Sequence, residues 1–376
     1  MMLTNLGTET IKVEPLHGEG TRRWLENNPE FSIEGMSVYF MTLNQGKHSV
    51  AIDLKSPGGL EVFHDLVRKS DVVISNFAVG VCERLKIDYE SLKHVNPGII
   101  TCCVSGFGSD GPDNLRPSFD LVAQAASGMM SVTGTDAEHP VRTGTPMGDI
   151  GAGMFAATGI LAALHERQRS GEGQHVDISM LDGQIATLNY LVSMYGFNGV
   201  DPEPMGNAHS VHVPYNSFAA KDGHIVIAVL TDAHWQKFKA VMDSKALDHP
   251  AFDTQSGRNA GRELIENEIN RIVGSDTARV WLSRLNEARV PSGPVNKLSQ
   301  ALADPQVLHR NMVVDLKHPN GETRKGPGNP IKLSRSKNGE LSPAPLTGQD
   351  TDSVLGSLLS YPDSRIAELR KKGVIG

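Results

Sequence analysis

Apolar and polar residues alternate over residues 175–180 in the order typical of a half-buried β-strand. Val176, Ile178 and Met180 are apolar, and the residues between them are polar. Residues 184–192 then place apolar side chains at helical spacing. The pattern predicts a short strand, a turn and a helix, with Asp182 at the start of that helix.

The N-terminal half of the chain repeats strand-like and helix-like segments. β-branched residues are concentrated in four short runs, and residues 58–67, between the second and the third run, show helical spacing. Such alternation predicts a parallel α/β architecture. The four strand-like runs are residues 10–13, 49–52, 71–74 and 99–104.

An apolar helix and two proline-rich segments organise the rest of the chain. Residues 148–164 predict a helix rich in alanine and glycine, which ends in the charged segment 165–169. Residues 201–207 and 290–296 each contain two prolines, which are incompatible with a helix interior, so both predict linkers. We expect a large domain of residues 1–200 and 300–376, a small domain of residues 210–290, and linkers at about 200–210 and 290–300.

The composition is that of an ordinary globular protein. Of 376 residues, 39% are hydrophobic and 21% are charged, and the formal net charge is -7. This charge argues against the basic face that nucleic-acid binding requires, and no apolar run approaches the roughly 20 residues of a membrane span. The three cysteines form no C-x-x-C pair, which argues against a zinc site and a disulfide framework. The N-terminus lacks the features of a secretory signal. We expect a cytoplasmic protein without a bound metal and without a nucleic-acid or membrane partner.

Residues 106–111 match the pattern G-x-G-x-x-G and follow a predicted strand. A dinucleotide site requires a helix that opens at the third glycine and an acidic residue about 20 positions later. Pro112 follows instead, and no such acid is present. The motif therefore favours a glycine-rich turn over a nicotinamide site. The sequence contains neither a P-loop nor a G-x-S-x-G nucleophile elbow.

Asp182 has two interpretations at this stage. Aspartate is among the preferred N-cap residues, which favours a structural role. An aspartate is also ionised at neutral pH, since its usual pKa is about 3.9, and it needs no general base to attack a thioester. In that case the backbone N–H groups of Gly183 and Gln184, at a helix start, are the expected donors to the developing oxyanion. The residue in isolation leaves both interpretations open.

Basic residues lie near the turns and strand ends of the N-terminal half, among them Lys55 and Arg84. Singly, each is most often a solvated charge. Grouped around βα junctions, they suit an anionic ligand such as a phosphorylated nucleotide. Asn76 and Phe77 directly follow a predicted strand, where open α/β sheets bind their ligands.

The chain resembles the class III coenzyme A transferases of the CaiB/BaiF type, which include formyl-CoA:oxalate, carnitine and succinyl-CoA:dicarboxylate CoA-transferases. The resemblance rests on an ordered series of short motifs that extends over almost the whole chain. The series includes I-K-V-E-P at residues 11–15, N-Q-G-K-H-S-V-A-I-D-L-K at 44–55, S-D-V-V-I-S-N-F at 70–77, F-D-L at 119–121, G-Q-H-V-D at 173–177, G-N-A-H at 206–209 and A-P-L-T-G at 344–348.

The resemblance implies a fold, a substrate and a site. The fold is an open parallel Rossmann-like sheet in a large CoA-binding domain, with a smaller α+β domain inserted and an interlocked homodimer as the assembly. The nucleophile is Asp182, not Asp177. Coenzyme A takes part as a thioester substrate rather than as a permanently bound cofactor, and the other partner is a small carboxylic acid. The residues implied in coenzyme binding are Ile52, Asp53, Leu54, Lys55, Asn76, Phe77, Ala78, Arg84, Pro117, Ser118, Phe119 and Asp120.

The implied activity is transfer of coenzyme A between a thioester and a carboxylic acid through an aspartyl-CoA thioester. An isomerase similar to α-methylacyl-CoA racemase is the first alternative. Asp149 matches the racemase aspartate, but Phe119 stands where the racemase has histidine, which favours the transferase. An inactive CoA-binding remnant is the second alternative, because the family's first strand and helix, of the form P-L-x-G-x-x-V-x-D, are expected to be missing here.

Overall fold

Residues 1–336 and 341–376 are described by a computed structural model. The strands are β1 Thr10–Glu14, β2 Ser32–Ile33, β3 Met36–Ser37, β4 Lys47–Ala51, β5 Val72–Ser75, β6 Ile100–Ser105, β7 His175–Ser179, β8 Tyr215–Ala220, β9 Gly223–Ala228, β10 Ser292–Pro294, β11 Val313–Lys317 and β12 Thr323–Pro327. The helices are α1 Met2–Asn5, α2 Val38–Asn44, α3 Pro57–Val67, α4 Val81–Leu85, α5 Tyr89–Leu92, α6 Asp120–Ala126, α7 Met147–Ser170, α8 Met180–Leu188, α9 Tyr190–Asn198, α10 Asp232–Met242, α11 Gln255–Ala260, α12 Arg262–Val273, α13 Ala278–Glu287, α14 Leu298–Leu302, α15 Pro305–His309, α16 Thr351–Ser357 and α17 Asp363–Lys371.

The chain divides into two compact units. Unit 2 comprises Gly128–Thr143 and Tyr190–Ala303. The domain bounds derived from composition stay a prediction. They place residues 128–143 in the large domain, whereas Gly128–Thr143 belong to unit 2. Unit 1 comprises Met1–Ser127, Gly144–Asn189 and Asp304–Gly376.

Unit 1 contains the parallel strands that the sequence predicts. β1 pairs with β4, in register from Thr10 opposite Lys47 to Glu14 opposite Ala51. β6 lies between β5 and β7, and all three strands run parallel. We expected one open sheet, whereas the described residues form two parallel sheets, of two and three strands. The antiparallel pairs β2–β3 and β11–β12 complete the unit's strands.

The predicted strand over residues 175–180 is confirmed, but the helix that follows begins earlier than predicted. α8 starts at Met180, directly after β7, so no turn separates the two elements. The backbone then changes direction at Asn189, whose φ is +50°, and a separate helix follows. Residues 184–192 therefore belong to two helices. The hydroxyl of Ser179 caps α8 and explains its early start.

The alanine-rich helix α7 is longer than predicted. It runs through the charged segment to Ser170, where Gly171 ends it with a φ of +79°. By length and composition alone it is apolar enough to cross a membrane, with a mean hydropathy of 1.5 over 18 residues. The sequence predicted no apolar run of this length. In unit 1 the helix packs against β6 and β7 through Ala156 and Ile160. Helices in the core of globular proteins can be equally long and apolar, so length and composition alone do not indicate a membrane span.

Gly173 brings two backbone segments of unit 1 into close contact. A Cβ atom at this position would lie 1.8 Å from the carbonyl oxygen of Ile99. The Gly173 carbonyl also accepts a hydrogen bond of 2.6 Å from the Tyr89 hydroxyl. The second glycine of the G-x-G-Q-H-V-D motif is therefore required by the close approach of the backbone to a neighbouring strand.

We expect Gly173→Ala to lower the free energy of unfolding by about 1–3 kcal/mol, because the added methyl group overlaps a backbone carbonyl. Urea denaturation monitored by circular dichroism measures this change. Gly153→Ala is the matched control, since nothing lies within 4 Å of its Cβ position in α7. There alanine is the better helix former and stabilises by up to about 1 kcal/mol. Equal stabilities of the two variants would contradict the steric explanation.

Unit 2 is built around an antiparallel sheet in the order β10–β9–β8. Fully buried side chains of α10 and α12, including Trp235, Phe238, Ile265 and Ile269, pack against Ile225 and other residues of the sheet to form its core.

Candidate active site

Most of the predicted site residues of unit 1 follow the carboxyl ends of its parallel strands. Residues 52–55 follow β4, residues 76–78 follow β5, and the glycine-rich segment 106–111 follows β6. Asp182 is the third residue of α8, which begins where β7 ends. Ligands of open α/β proteins bind at this edge of the sheet.

Asp182 is not the N-cap of α8. That role belongs to Ser179, whose Oγ accepts a hydrogen bond of 3.1 Å from the Asp182 N–H. The interpretation of Asp182 as a cap is therefore wrong. Its side chain is exposed and, within residues 1–336 and 341–376, its carboxylate forms no hydrogen bond or ion pair. The structure thus presents an unpartnered carboxylate in the first turn of a helix, where the helix dipole stabilises a negative charge.

The backbone donors that we expected beside Asp182 are already occupied. Gly183 and Gln184 are the fourth and fifth residues of α8, so their N–H groups donate to carbonyls one turn back. The expectation that they stabilise an oxyanion is wrong, because it assumed a helix start at Asp182. The N–H of Leu181 also has a partner, the carbonyl oxygen of Gly106 at 3.1 Å.

The glycine-rich segment forms a turn, as predicted, and it adjoins the start of α8. Asp177 Oδ2 fixes the turn by accepting hydrogen bonds from Ser109 N at 2.9 Å and Ser109 Oγ at 2.7 Å. Gly108, with a φ of +91°, donates from its N–H to Ser105 Oγ. The N–H of Phe107 has no acceptor in the described part of the chain. Sequence reasoning treated Asp177 only as a rival to Asp182 and missed that it holds this turn.

Asp120 connects two helices of unit 1. Its carboxylate accepts hydrogen bonds from the N–H of Gly148, at 2.7 Å, and from the side-chain amide of Gln124, at 2.8 Å. The first contact satisfies a free donor at the start of α7, which has no cap of its own. Partial burial and then the nearby Asp120 charge raise the pKa of Asp149. A direct role of Asp120 in coenzyme binding stays a prediction.

The other residues predicted to bind coenzyme A differ in accessibility. Ile52 is 1% exposed and packs in the core, so its side chain is not available to a ligand. Lys55 and Arg84 are exposed, and their side chains pair with none of the described residues. The rings of Phe77 and Phe119 are 40% and 81% exposed.

Thiol nucleophiles are disfavoured in this region. Cys82 and Cys103 lie near Ser75, at the end of β5, and burial raises the pKa of both thiols. Burial also raises the pKa of Cys102 to about 12. Little reactive thiolate is therefore present at neutral pH. Within the described ranges, no group of three or more His, Cys, Asp or Glu residues is placed to hold a metal ion.

A sequence model of CoA-transferase family III matches residues 1–351. The chain belongs to CoA-transferase family III. This confirms the resemblance inferred from the motifs and makes the protein a transferase of this family. Its parallel α/β architecture agrees with that of solved family members.

Relatives of this family III transferase match it over nearly its whole length. Human succinyl-CoA:glutarate CoA-transferase is 32% identical over 100% of this chain and 85% of its own. Succinyl-CoA:mesaconate CoA-transferase of Haloarcula hispanica is 34% identical over 94% of this chain and 90% of its own. The crystal structure of a CaiB/BaiF family protein from Brucella suis covers 95% of this chain and 93% of its own, with a TM-score of 0.83 and 32% identity.

Proposed function

We propose that this family III CoA-transferase moves coenzyme A between a CoA thioester and a small dicarboxylic acid, with Asp182 as the nucleophile. The exposed, unpartnered carboxylate of Asp182 carries the proposal. It lies in the first turn of a helix that begins at the carboxyl end of a parallel strand, where ligands of this architecture bind. The choice of a dicarboxylic acid follows the relatives that act on glutarate and mesaconate.

The reaction proceeds by exchange of acyl groups on Asp182. A carboxylate oxygen of Asp182 attacks the thioester carbonyl, the C–S bond breaks, and CoA leaves as a thiolate. The thiolate attacks the aspartyl carbonyl of the mixed anhydride, which releases the donor acid and forms an aspartyl-CoA thioester. The acceptor carboxylate then displaces the thiolate to give a second anhydride. Attack of the thiolate on its acyl carbonyl yields the new CoA thioester and restores Asp182.

The neighbouring groups have supporting roles in this mechanism. Phe107 N–H, in the turn that is hydrogen-bonded to Leu181, replaces Gly183 and Gln184 as the proposed donor to the oxyanion. Lys55 and Arg84, exposed after β4 and in α4, are suited to the phosphates of coenzyme A. Exclusion of water is essential, because both the anhydride and the thioester hydrolyse.

Chemical trapping tests the covalent step. The protein is incubated with succinyl-CoA and treated with hydroxylamine or borohydride, and modified peptides are identified by mass spectrometry. We expect modification of the peptide that contains Asp182, and none without the CoA ester. Exchange of the α-proton of an acyl-CoA without CoA transfer would instead support the racemase-like alternative.

A homodimer is the proposed assembly. In unit 1, α7 and α8 expose apolar side chains such as Met154, Phe155 and Ile185. In unit 2, α9 has no buried residue, and Phe197 is 94% exposed. Exposed apolar surfaces of this kind are typical of protein–protein interfaces, and a second copy of the chain is the partner that the family resemblance implies.

Sedimentation equilibrium tests the dimer. We expect twice the mass of the chain at micromolar concentration, and a shift toward the monomer in Phe197→Asp, because a charge is costly in an apolar interface. Leu115→Asp is the matched control, since Leu115 is also strongly exposed, at 77%, but lies on a loop. A monomeric wild-type protein would exclude this assembly.

The cytoplasm is the proposed location of the protein. All three cysteines are free, as is usual for proteins of reducing compartments.

A further inference from the structure

Arg116 is a cation that stacks on the glycine-rich turn of residues 106–111, which adjoins the start of α8. Its guanidinium carbon lies 5.0 Å from the centre of the Phe107 ring, in a cation–π arrangement. Phe107 belongs to the turn whose Gly106 carbonyl accepts the hydrogen bond from Leu181 N at the start of α8. Arg116 and Leu181, the residue before Asp182, therefore both contact the same turn.

The turn under Arg116 is held in place by side chains of two neighbouring strands. Asp177, on β7, binds both the N–H and the hydroxyl of Ser109. Ser105, the last residue of β6, binds the N–H of Gly108. Because these hydrogen bonds fix the turn, the Arg116 side chain that stacks on it is also restrained, and less conformational entropy is lost when Arg116 binds a ligand.

Most of the hydrogen-bonding capacity of Arg116 is unused. A guanidinium carries five N–H donors, and the polar partner of Arg116 in the structure is the carboxylate of Asp113, 3.2 Å from Nη1. Both side chains of this pair are about half exposed, at 53% and 55%. Exposed pairs of this kind contribute little stability, so a carboxylate ligand can replace Asp113 at little cost.

A dicarboxylic substrate requires such a cation. When one carboxyl carbon reacts with Asp182, the second carboxylate brings a negative charge toward an anionic nucleophile, which is unfavourable without a counter-charge. Arg116 follows β6, the strand paired with β7, and directly precedes residues 117–120, which the resemblance assigns to coenzyme binding. Lys55 and Arg84, the cations proposed for the coenzyme phosphates, follow β4 and lie in α4.

We propose that Arg116 binds the distal carboxylate of the acyl group and thereby selects dicarboxylic over monocarboxylic substrates. This assignment rests on the proposed role of Asp182. Because both half-reactions use the same acyl position, Arg116 acts on the CoA ester and on the free acid alike. A planar guanidinium is suited to bidentate carboxylate binding.

The test compares substrates that differ only in the distal carboxylate. Succinyl-CoA is paired with butyryl-CoA, and glutarate with valerate. We expect Arg116→Gln to lower kcat/KM for succinyl-CoA and glutarate by about 10- to 100-fold, the loss of a hydrogen-bonded charge pair. Values for butyryl-CoA and valerate change little. Arg116→Lys restores part of the preference, and Asp113→Asn, which removes the competing carboxylate, preserves it.

Two results would overturn the assignment. One is an equal loss for both members of each pair, which indicates a structural role that thermal unfolding of the variant also detects. The other is a wild-type enzyme without preference for the dicarboxylic member. Calorimetric binding of glutarate and valerate to the wild type and Arg116→Gln tests the subsite independently of turnover. If Asp182 is not the nucleophile, the trapping experiment fails while this binding preference persists.

Discussion

Replacement of Asp182 by asparagine is expected to lower the rate of CoA transfer by roughly 10³-fold or more, the order of loss seen when a covalent nucleophile is removed. The amide of asparagine is neutral and does not form the anhydride, so the first covalent step is lost. The rate is measured as succinyl-CoA-dependent CoA transfer to glutarate. Hydroxylamine treatment of the variant yields no modified active-site peptide.

The stability of Asp182→Asn shows whether a loss of activity reflects the missing carboxylate rather than misfolding. The capping hydrogen bond to Ser179 comes from the backbone N–H of residue 182, so it persists in the variant. We therefore expect a change in unfolding free energy of less than about 1 kcal/mol, since an exposed side chain without a partner is replaced. Asp182→Ala is measured as a second variant, because deamidation of the introduced asparagine would restore the aspartate. Wild-type transfer rates in both variants would show that the nucleophile lies elsewhere.

Replacement of Arg22 by methionine is expected to destabilise the protein by about 3–5 kcal/mol, because it leaves the charge of Glu14 buried without its cationic partner. Nε and Nη2 of Arg22 donate to the two oxygens of Glu14, at 2.8 and 2.6 Å, and Nη1 donates to the Pro345 carbonyl. The guanidinium also covers the ring of Phe40, at 3.7 Å. Chemical denaturation measures the loss. The double variant Glu14→Gln with Arg22→Met is expected to recover part of the lost free energy of unfolding, because no charge is then buried. If the double variant is as unstable as Arg22→Met, the loss comes from packing alone.

Glu14 gives this cluster a defined pH dependence. Burial opposes its ionisation, but hydrogen bonds from Arg22 and Ser49 outweigh burial and hold the pKa of Glu14 below its ordinary value of 4.5. A lowered pKa in the folded state stabilises the protein above pH 4.5, and this stabilisation is lost as the pH falls through the folded value. The stability of the wild type therefore decreases in acid, below about pH 4.5. Glu14→Gln has a smaller acid dependence over the same range, which urea titrations at several pH values resolve.

Local patterns predicted the elements of the chain better than their pairing. Alternation located β7, and helical spacing located α3, because both signals depend on neighbours in sequence. The pairing of β1 with β4 in a sheet of its own depends on contacts between distant segments, which no local pattern contains. α7 extends beyond the predicted end at residue 164, because basic residues such as Arg167 are favoured in the last turn of a helix and do not end it.

Local spacing predicted that Asp182 lies near a helix start, but it did not predict the groups around Asp182. Ser179 and Asp182 are both preferred capping residues, so residue type alone did not decide which of them caps α8. Because Ser179 rather than Asp182 is the cap, α8 already starts at Met180. The backbone N–H groups expected to be free beside Asp182 are therefore used within the helix. The contacts of Asp177 and Arg116 depend on the turn of residues 106–111, and Ser109 in that turn lies 68 residues before Asp177, the residue that holds it. Local spacing carries no information about contacts over such a separation.

The last residues of the chain lie in the core beside β4. Val374 and Ile375 are buried there, and the carbonyl of Val374 accepts a hydrogen bond from Asp53. On the ribosome this core is therefore completed only after residue 375 has been synthesised. Unit 2, whose residues all precede position 304, is able to close its own core while unit 1 still awaits its C-terminal segment. In a nascent chain of this enzyme, the apolar residues Val50 and Ile52 thus wait for Val374 and Ile375 until after all of unit 2 has been synthesised.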